Sequence, residues 1–301
     1  MPLLAVIDIG THSALLLIAD VNEQVTPMLD EARTTYLGAG LKETGQISPE
    51  ALARLMTVLS SYAAILSEYE INDVICYATA AFRYAQNAEA CQQQIKTVLG
   101  WSVRILSSQE EAVYTLQGAL QGIASQDGPH EAVAIDIGGG STEVIWGSDS
   151  SVNRWWSVPV GAVLLKDQFS LEDCLSSLEE QTVDAYLDKQ FQEINLAPAP
   201  EKILVTGGTA TTLAALLLDL TSYDINRIDG YAIARSQIES LYEELNRLTL
   251  AQRADLPSME AGRAAVILPA IRILLRLLAQ LEADQITVTV RGARYGILGS
   301  E

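Results

Sequence analysis

The sequence predicts an α/β protein of two duplicated domains with a cleft between them. The first observation is a phrase that occurs twice: residues 5–18 read AVIDIGTHSALLLI, and residues 132–146 read AVAIDIGGGSTEVIW. The second is that each half repeats the order strand, strand, strand, helix, strand, helix. The third is size, since 301 residues with 49% hydrophobic content can form two cores of ordinary size.

The first half begins with apolar strands. Three of them are predicted as a meander at 3–9, 13–20 and 24–30. A helix follows at 49–68, because its apolar residues recur at steps of three and four. The next elements are a strand at 73–78, a helix at 87–99 with Asn87 as N-cap, a strand at 102–106 and a helix at 109–123. The stretch 124–130 is polar and rich in turn residues, so we place the N-terminal domain at 1–124 and the C-terminal domain at 125–301.

The second half repeats the plan. Strands are predicted at 132–137, 142–147 and 153–158, followed by a helix near 178–193. A strand at 202–206 leads into a helix from Ala210, and helices near 236–248 and 262–282 precede a strand at 286–290. The apolar stretch 264–281 contains Pro269 and Arg272, so we interpret it as a core helix and not as a membrane span.

Charge and cysteine content restrict the class of protein. Nineteen basic and 38 acidic residues give a net charge of −19, which argues against nucleic acid or an anionic membrane as a partner. The cysteines Cys76, Cys91 and Cys174 form no CxxC pair, and buried, reduced thiols are expected. With no basic stretch before the first strand, we expect a cytoplasmic protein without a signal peptide.

The repeated phrase places an Asp before a turn of small residues. Asp8 corresponds to Asp136, Gly10 to Gly138 and Ser13 to Ser141. Such turns let backbone N–H groups approach an anion, and the Asp can hold a cation beside it. Each copy alone is also explained as a simple hairpin turn, but a purely geometric turn would not need to repeat all three residues. The pattern is neither a Walker loop nor a dinucleotide fingerprint.

Four other groups could carry chemistry, and each has a structural alternative. Arg83 follows a strand and could bind phosphate, or it could be a solvated arginine at a helix start. Glu110 and Glu111 begin a helix, where carboxylates are favoured in any case. The turns 206–209 and 291–294 could bind an anion or be ordinary turns. Glu143 lies within an apolar strand, which is costly unless it faces water or a cation.

Together these residues resemble the exopolyphosphatase/guanosine pentaphosphate phosphatase family. The resemblance is carried by 8–13, 37–41, 78–83 with Asn87, 108–112, 136–143, 207–209, and Arg294 with Gly296. It implies the fold of the actin, Hsp70 and sugar kinase superfamily, whose duplicated domains are ribonuclease-H-like. The chain resembles the short, two-domain form of the family, which lacks the added C-terminal helical domain.

The resemblance also implies roles for individual residues. Glu111 matches the base that activates water, and Glu143 matches an acidic residue that supports metal and water. Asp8, Asp136 and Glu143 are then the metal ligands, for Mg²⁺ or Mn²⁺, with K⁺ as a further candidate ion. The implied substrate-binding residues are Gly10, Thr11, His12, Ser13, Arg83, Gly138, Gly139, Gly140, Ser141, Gly208, Thr209 and Arg294.

Three positions depart from the family pattern. His12 stands where members usually have Asn, Tyr36 where they often have Arg, and Ala293 where the final phrase has Leu. These departures bear on the substrate more than on the reaction.

The expected reaction is hydrolysis of terminal phosphoanhydride bonds of inorganic polyphosphate, by a water that Glu111 activates. Guanosine pentaphosphate 5′-phosphatase activity is the alternative within the same class. A catalytically weak regulatory protein and a phosphotransferase are alternatives from other classes. Intact Glu111 and Glu143 argue against the first of these, and the sequence shows no acceptor pocket for the second.

We expect a homodimer. Four arginines are expected to attract the polyanion despite the net negative charge: Arg33, Arg83, Arg291 and Arg294.

Overall fold

The computed structural model describes residues 3–22, 25–121, 131–148, 151–171, 173–196, 202–259 and 262–300. The chain divides into two compact units. The first comprises Met1–Tyr114 together with Ala293–Glu301, and the second comprises Thr115–Gly292.

The first unit contains a five-stranded sheet in the order β3-β2-β1-β4-β5. Its strands are β1 (Leu3–Ile9), β2 (Ser13–Asp20), β3 (Thr26–Thr34), β4 (Val74–Ala78) and β5 (Val103–Ile105). β1, β2 and β3 pair antiparallel, and β1, β4 and β5 pair parallel. The helices are α1 (Leu41–Thr44), α2 (Pro49–Glu68), α3 (Ala80–Tyr84), α4 (Ala88–Leu99) and α5 (Ser108–Gln121), and α13 (Ala293–Leu298) joins them from the end of the chain.

Both faces of this sheet are buried, and side chains alternate between them along each strand. Ile7 and Ile9 pack with Leu55 and Leu59 of α2 in one apolar cluster. Val6 and its neighbours on the opposite face pack with residues of α13 in another. α2 begins at Ser48, whose side chain accepts a hydrogen bond from Ala51 N, with Pro49 at the first helical position.

The second unit contains a six-stranded sheet in the order β10-β11-β9-β6-β7-β8. Its strands are β6 (Ala132–Ile137), β7 (Thr142–Ser148), β8 (Ser151–Val158), β9 (Ile203–Thr206), β10 (Ala232–Ala234) and β11 (Gln285–Val288). Its helical segments are α6 (Ala162–Phe169), α7 (Ser177–Phe191), α8 (Gly207–Leu217), α9 (Ile225–Ile228), α10 (Arg235–Asn246), α11 (Leu250–Ala254), the 3₁₀ turn η1 (Arg263–Ala265) and α12 (Ile267–Gln280).

The two sheets confirm the predicted duplication. Strands β8-β7-β6-β9-β11 follow the order and the parallel or antiparallel pairing of β3-β2-β1-β4-β5, and β10 adds an edge strand. The predicted core helix is present as α12, which buries ten of its residues, including Ile271 and Leu274. Within the described residues, no helix has both the length and the apolar character needed to cross a membrane.

Several local predictions differ from the structure. The short elements α1, α9, α11, α13 and β10 are not predicted from the sequence, and α13 begins within the turn predicted at 291–294. Asn87 stands at the N-cap of α4, but its side chain bonds the backbone of Ile47 instead. Cys76 and Cys91 are buried as expected, whereas Cys174 is exposed.

The division of the chain also differs from the predicted boundary at 124/125. The two units separate within α5, between Tyr114 and Thr115, so one continuous helix contributes to both. The final segment, Ala293–Glu301, belongs to the first unit. The polar stretch 124–130, on which the prediction rested, lies outside the described residues.

Candidate functional site

The two glycine turns have the same internal geometry. In the first turn Gly10 N donates to Ser13 O at 3.0 Å, and in the second Gly138 N donates to Ser141 O at 2.9 Å. A Cβ at Gly10 or Gly138 would lie 3.1 or 3.2 Å from these same carbonyl oxygens. A side chain at this position would therefore be tight, because the chain closes on itself there.

The first turn is held by the segment after β3. The backbone N–H groups of Thr35 and Tyr36 both donate to His12 O at 2.9 Å, and Gly38 N donates to Thr11 O at 2.9 Å. The His12 ring packs edge-to-face against the Tyr36 ring, with centroids 4.9 Å apart. Thus two positions that depart from the family pattern, His12 and Tyr36, contact each other.

The second turn is held by α6. Ala162 N donates to Gly138 O, and the N–H groups of Val163 and Leu164 donate to Gly139 O. A Cβ at Gly161 would overlap the backbone of Gly139 and Gly140. The turn therefore lies directly on the start of α6, and this contact fixes its path.

A row of polar side chains crosses the second sheet beside this turn. Asp136 of β6 lies directly opposite Glu143 of β7, which in turn lies opposite Ser157 of β8. On the other side, Thr206 of β9 is the register partner of Asp136. Residues in direct register share a face, so the two carboxylates are neighbours with Cβ atoms about 5 Å apart.

Glu143 is only 3% exposed, and Ser157 Oγ donates to its Oε1 at 2.9 Å. A buried carboxylate facing a second carboxylate requires positive charge or strong hydrogen bonding nearby. The pair therefore offers oxygen ligands to a hard cation such as Mg²⁺.

The equivalent row in the first sheet differs. Asp8 of β1 has Leu15 of β2 as its register partner on one side and Tyr77 of β4 on the other. The first copy thus presents one carboxylate where the second presents two. In the parts of the chain that the structure describes, no group of three His, Cys, Asp or Glu side chains is arranged to hold a metal ion.

Arg83 and Glu111 form a buried ion pair in the first unit. Arg83 Nη1 lies 2.5 Å from Glu111 Oε2 and also donates to Leu106 O at 3.0 Å. Their side chains are 12% and 13% exposed. α3 carries Arg83 and begins next to the first turn, since Thr79 N donates to Ile9 O. The structure therefore brings together two predicted site residues that are 28 positions apart.

Two further donors of Arg83 are available to a ligand. Its Nε and Nη2 atoms are buried and have no hydrogen-bond partner among the described residues. Buried N–H groups of a charged side chain are rarely left unsatisfied, because desolvation without a hydrogen bond is costly. An oxyanion ligand would satisfy both donors in the bidentate manner typical of arginine.

The two adjacent glutamates have different environments. Glu110 is half-exposed, and its carboxylate accepts hydrogen bonds from Ser107 N and Oγ and pairs with Arg104. These hydrogen bonds from Ser107, with Arg104, hold the pKa of Glu110 below its usual value. Burial raises the pKa of Glu111, and Arg83 opposes that rise. Glu110 therefore acts as a helix cap, whereas Glu111 has the properties of a general base.

The N-terminus of α8 is a second place suited to an anion. Gly207 has φ of +84°, and a Cβ there would lie 2.7 Å from Asp136 Oδ1. Thr209 is fully buried, and its Oγ1 has no hydrogen-bond partner within the described ranges. A Cβ at Gly208 would overlap the guanidinium of Arg263. Backbone N–H groups at a helix start and an arginine are thus found together.

Each of the four arginines expected to attract substrate is paired with a carboxylate of its own unit. The pairs are Arg33 with Glu31, Arg83 with Glu111, Arg291 with Asp229 and Arg294 with Asp30. Arg294 is 9% exposed and lies 2.5 Å from Asp30 Oδ1 of β3, not in a glycine turn. This pairing argues against the predicted role of Arg294 in substrate binding.

Comparison with known proteins identifies the family. The sequence profile of the Ppx/GppA phosphatase family matches residues 17–301. The chain belongs to this family. It is 32% identical to exopolyphosphatase 2 of Mycobacterium tuberculosis, over 97% of this chain and 96% of that protein. It is 25% identical to a guanosine-5′-triphosphate,3′-diphosphate pyrophosphatase of Vibrio parahaemolyticus, over 99% of this chain and 59% of that protein.

Solved structures of Ppx/GppA proteins confirm the predicted fold. The Aquifex aeolicus family member superimposes with a TM-score of 0.83 at 30% identity, covering 99% of this chain and 97% of that one. An exopolyphosphatase from Cytophaga hutchinsonii gives 0.90 at 26% identity, covering 99% and 96%. The chain has the two-domain fold of the actin, Hsp70 and sugar kinase superfamily.

Sequence reasoning missed Arg263, although the structure places it over Gly208 of the Ppx/GppA fold. The helix predicted near 262–282 includes Arg263 in its first turn. The signal in the sequence is the preceding glycine, Gly262. Its φ of +80° places Arg263 in the separate turn η1 and not in the core helix α12.

Replacing Gly161 with Ala tests whether α6 fixes the second turn. The added Cβ meets the backbone of Gly139 and Gly140, so the turn has to move, and we expect phosphate release to fall up to about 100-fold. Gly100→Ala is the control, because Gly100 has φ of +78° at the end of α4 and open space around it. It should lower the free energy of unfolding by about 1 kcal/mol without changing turnover. Turnover of Gly161→Ala close to that of the parent would show that the turn tolerates displacement.

Proposed function

We propose that this protein hydrolyses the terminal phosphoanhydride bond of inorganic polyphosphate and releases orthophosphate. The observation that carries the proposal is the Arg83–Glu111 ion pair. Burial raises the pKa of the Glu111 carboxylate, and the Arg83 guanidinium bound to it has two further buried donors, Nε and Nη2, without a partner among the described residues. The similarity to a full-length exopolyphosphatase supports polyphosphate as the substrate.

In this proposal Arg83 binds the terminal phosphate through Nε and Nη2 while Nη1 holds Glu111. One rigid, planar group then sets the distance between the base and the phosphate. Positioning of this kind lowers the activation free energy of hydrolysis, because the reacting groups are already held in the correct geometry.

Glu111 takes a proton from a water aligned with the terminal phosphorus. The water oxygen forms a bond to that phosphorus, the bridging P–O bond breaks, and its electron pair stays on the shortened chain. Charge accumulates on the phosphate oxygens, where backbone N–H groups of the first glycine turn, Gly10–Ser13, stabilise it. Within the second unit, the predicted turn Gly138–Ser141 offers backbone N–H groups of the same kind, and Gly208 and Thr209 with Arg263 offer a further anion site.

Asp136 and Glu143 fit a divalent cation. They are opposite each other on one face of the sheet, and Mg²⁺ is commonly held by one or two carboxylates together with substrate phosphates. When bound, Mg²⁺ would neutralise phosphate charge. Asp8 has an apolar partner, Leu15, at the corresponding position, so Asp136 and Glu143 are the stronger ligand candidates.

Guanosine pentaphosphate is the second candidate substrate, favoured by the similarity to the Vibrio pyrophosphatase. Phosphate release is measured over short polyphosphate, long polyphosphate and guanosine pentaphosphate, with and without Mg²⁺ and K⁺. We expect release from polyphosphate to dominate. Phosphate release from guanosine pentaphosphate alone would identify that compound as the substrate. Phosphate release from none of the three compounds would contradict the proposed function.

Glu111→Gln should lower the turnover of polyphosphate at least about 100-fold while binding is retained, because an amide cannot accept the proton. Glu110→Gln is the matched control. Glu110 is bound to Ser107 and Arg104, so its loss should weaken the helix start and leave turnover close to that of the parent. Near-normal turnover of Glu111→Gln would remove Glu111 as the base.

The pH dependence of kcat should report the ionisation of Glu111. Activity requires the ionised carboxylate, so kcat falls as the pH drops through its pKa, which burial has raised. Arg83 lowers that pKa, and Arg83→Ala should therefore move the acid limb to higher pH as well as reduce the rate. Arg104→Ala, at an exposed pair, should leave the limb in place. If the acid side of the pH profile does not move in Arg83→Ala, Arg83 does not control the pKa of the base.

Removal of divalent ions should abolish hydrolysis, because Asp136 and Glu143 otherwise place negative charge beside a polyanion. Asp136→Asn and Glu143→Gln should weaken Mn²⁺ binding, measured by calorimetric titration, at least about tenfold, since even outer-shell changes cost this much. Asp188→Asn, at an exposed pair with Arg276, is the control. Full activity in excess chelator would contradict a metal-assisted reaction.

A further inference from the structure

We infer that Arg294 is a positioning residue: paired with Asp30, it fixes the C-terminal helix α13 against the two elements that carry Asp8 and Glu111. The inference rests on the proposed function for the roles of these two carboxylates. It replaces direct substrate binding as the explanation for Arg294.

The ion pair engages both oxygens of Asp30. Arg294 Nη1 lies 2.5 Å from Asp30 Oδ1, and Tyr295 donates to Asp30 Oδ2 at 2.9 Å, so both oxygens of Asp30 are taken by α13. The side chains of Arg294 and Asp30 are 11% and 14% exposed. Burial opposes the charge of Arg294, but Asp30 outweighs it and raises the pKa of the guanidinium. A charged pair in this setting is costly to break, because one partner is left buried alone.

α13 covers the face of the first sheet that carries Asp8. Tyr295 and Leu298 pack with Val6 of β1 and Leu17 of β2 in one apolar cluster. Val6 and Asp8 are two residues apart on β1 and therefore point to the same face. Any shift of α13 is transmitted to the part of β1 that holds Asp8.

Tyr77 connects the ion pair to Asp8. It is the register partner of Asp8 on β4, is 1% exposed, and belongs to the same apolar cluster as Tyr295. Burial and then the charge of Asp8 raise the pKa of Tyr77, whereas Arg294 lowers it. Tyr77 thus lies between the two, within electrostatic reach of Asp8 and of Arg294.

α13 also touches the helix that carries Glu111. A Cβ at Gly296 would overlap the carbonyl group of Tyr114 in α5, so the two backbones are in direct contact. Tyr114 lies one helical turn after Glu111. A glycine is needed at 296 because no side chain fits between the helices.

The test compares four variants of the full-length protein: Arg294→Ala, Arg294→Lys, Asp30→Asn and the Asp30→Asn/Arg294→Ala double variant. We expect kcat for polyphosphate to fall at least about tenfold in Arg294→Ala and Asp30→Asn, and the double variant to lose no more than either single one. The KM for polyphosphate and the inhibition constant of orthophosphate should stay within about twofold. Arg294→Lys should recover part of the rate, because it keeps the charge that pairs with Asp30.

A substrate ligand would behave differently. If Arg294 bound phosphate, Arg294→Ala would raise the KM and the orthophosphate inhibition constant, and Asp30→Asn would raise neither. That result would overturn the inference. Arg235→Ala, which removes an exposed pair with Glu239, is the control for losing an arginine and should change neither constant.

Amide hydrogen exchange provides a readout that needs no activity. Arg294→Lys and Gly296→Ala should speed exchange in β1 and in the first half of α5 at least about tenfold, while strands β6 and β9 keep their protection. If Arg294→Ala does not fold, amide exchange of these two variants still tests the role of Arg294. Unchanged protection in β1 and α5 would overturn the inference. If the parent protein hydrolyses none of the substrates, the proposed function fails, and the exchange result still decides the role of Arg294.

Discussion

The ion pair between Arg83 and Glu111 is the interaction on which the proposed chemistry depends. A glutamate buried to this extent would be protonated more readily than one in water, and a guanidinium beside it moderates that effect. The pair is built by two helices that each begin at the end of a strand, α3 after β4 and α5 after β5. Because β4 pairs with β1, the same arrangement places α3 beside the first glycine turn.

Duplication accounts for the architecture, and divergence between the copies accounts for the chemistry. Both sheets present an Asp before a Gly-to-Ser turn with the same internal hydrogen bond. Opposite that Asp the second copy has Glu143, with Ser157 bonded to it, whereas the first copy has Leu15. The second copy is therefore suited to a cation, and the first carries Glu111, the proposed base, on α5. Each copy retains the same sheet order while its polar residues differ.

Much of this could be predicted because it is encoded locally. The turns follow from small residues between apolar strands. The role expected for Glu111 rests on the family resemblance, because a helix start alone favours any carboxylate. The pairing of Arg294 with Asp30 could not be predicted, since the two residues are 264 positions apart and only the return of α13 to the first unit joins them. Arg263 was missed for a related reason, because its position over Gly208 depends on how η1 packs on α8. The difference between Leu15 and Glu143 is visible when the two phrases are aligned.

The most direct test of the account is a double-mutant cycle on the single-turnover rate of polyphosphate hydrolysis, with Arg83→Ala, Glu111→Gln and the double variant. If Arg83 acts by holding the base against the phosphate, the two residues form one unit. Because Arg83 also binds the phosphate, the double variant should be slower than Glu111→Gln alone, but at least about tenfold faster than the product of the two single effects predicts. Losses that multiply, so that the double variant is slower by the product of the two single effects, would show that Arg83 and Glu111 act independently and would contradict the account.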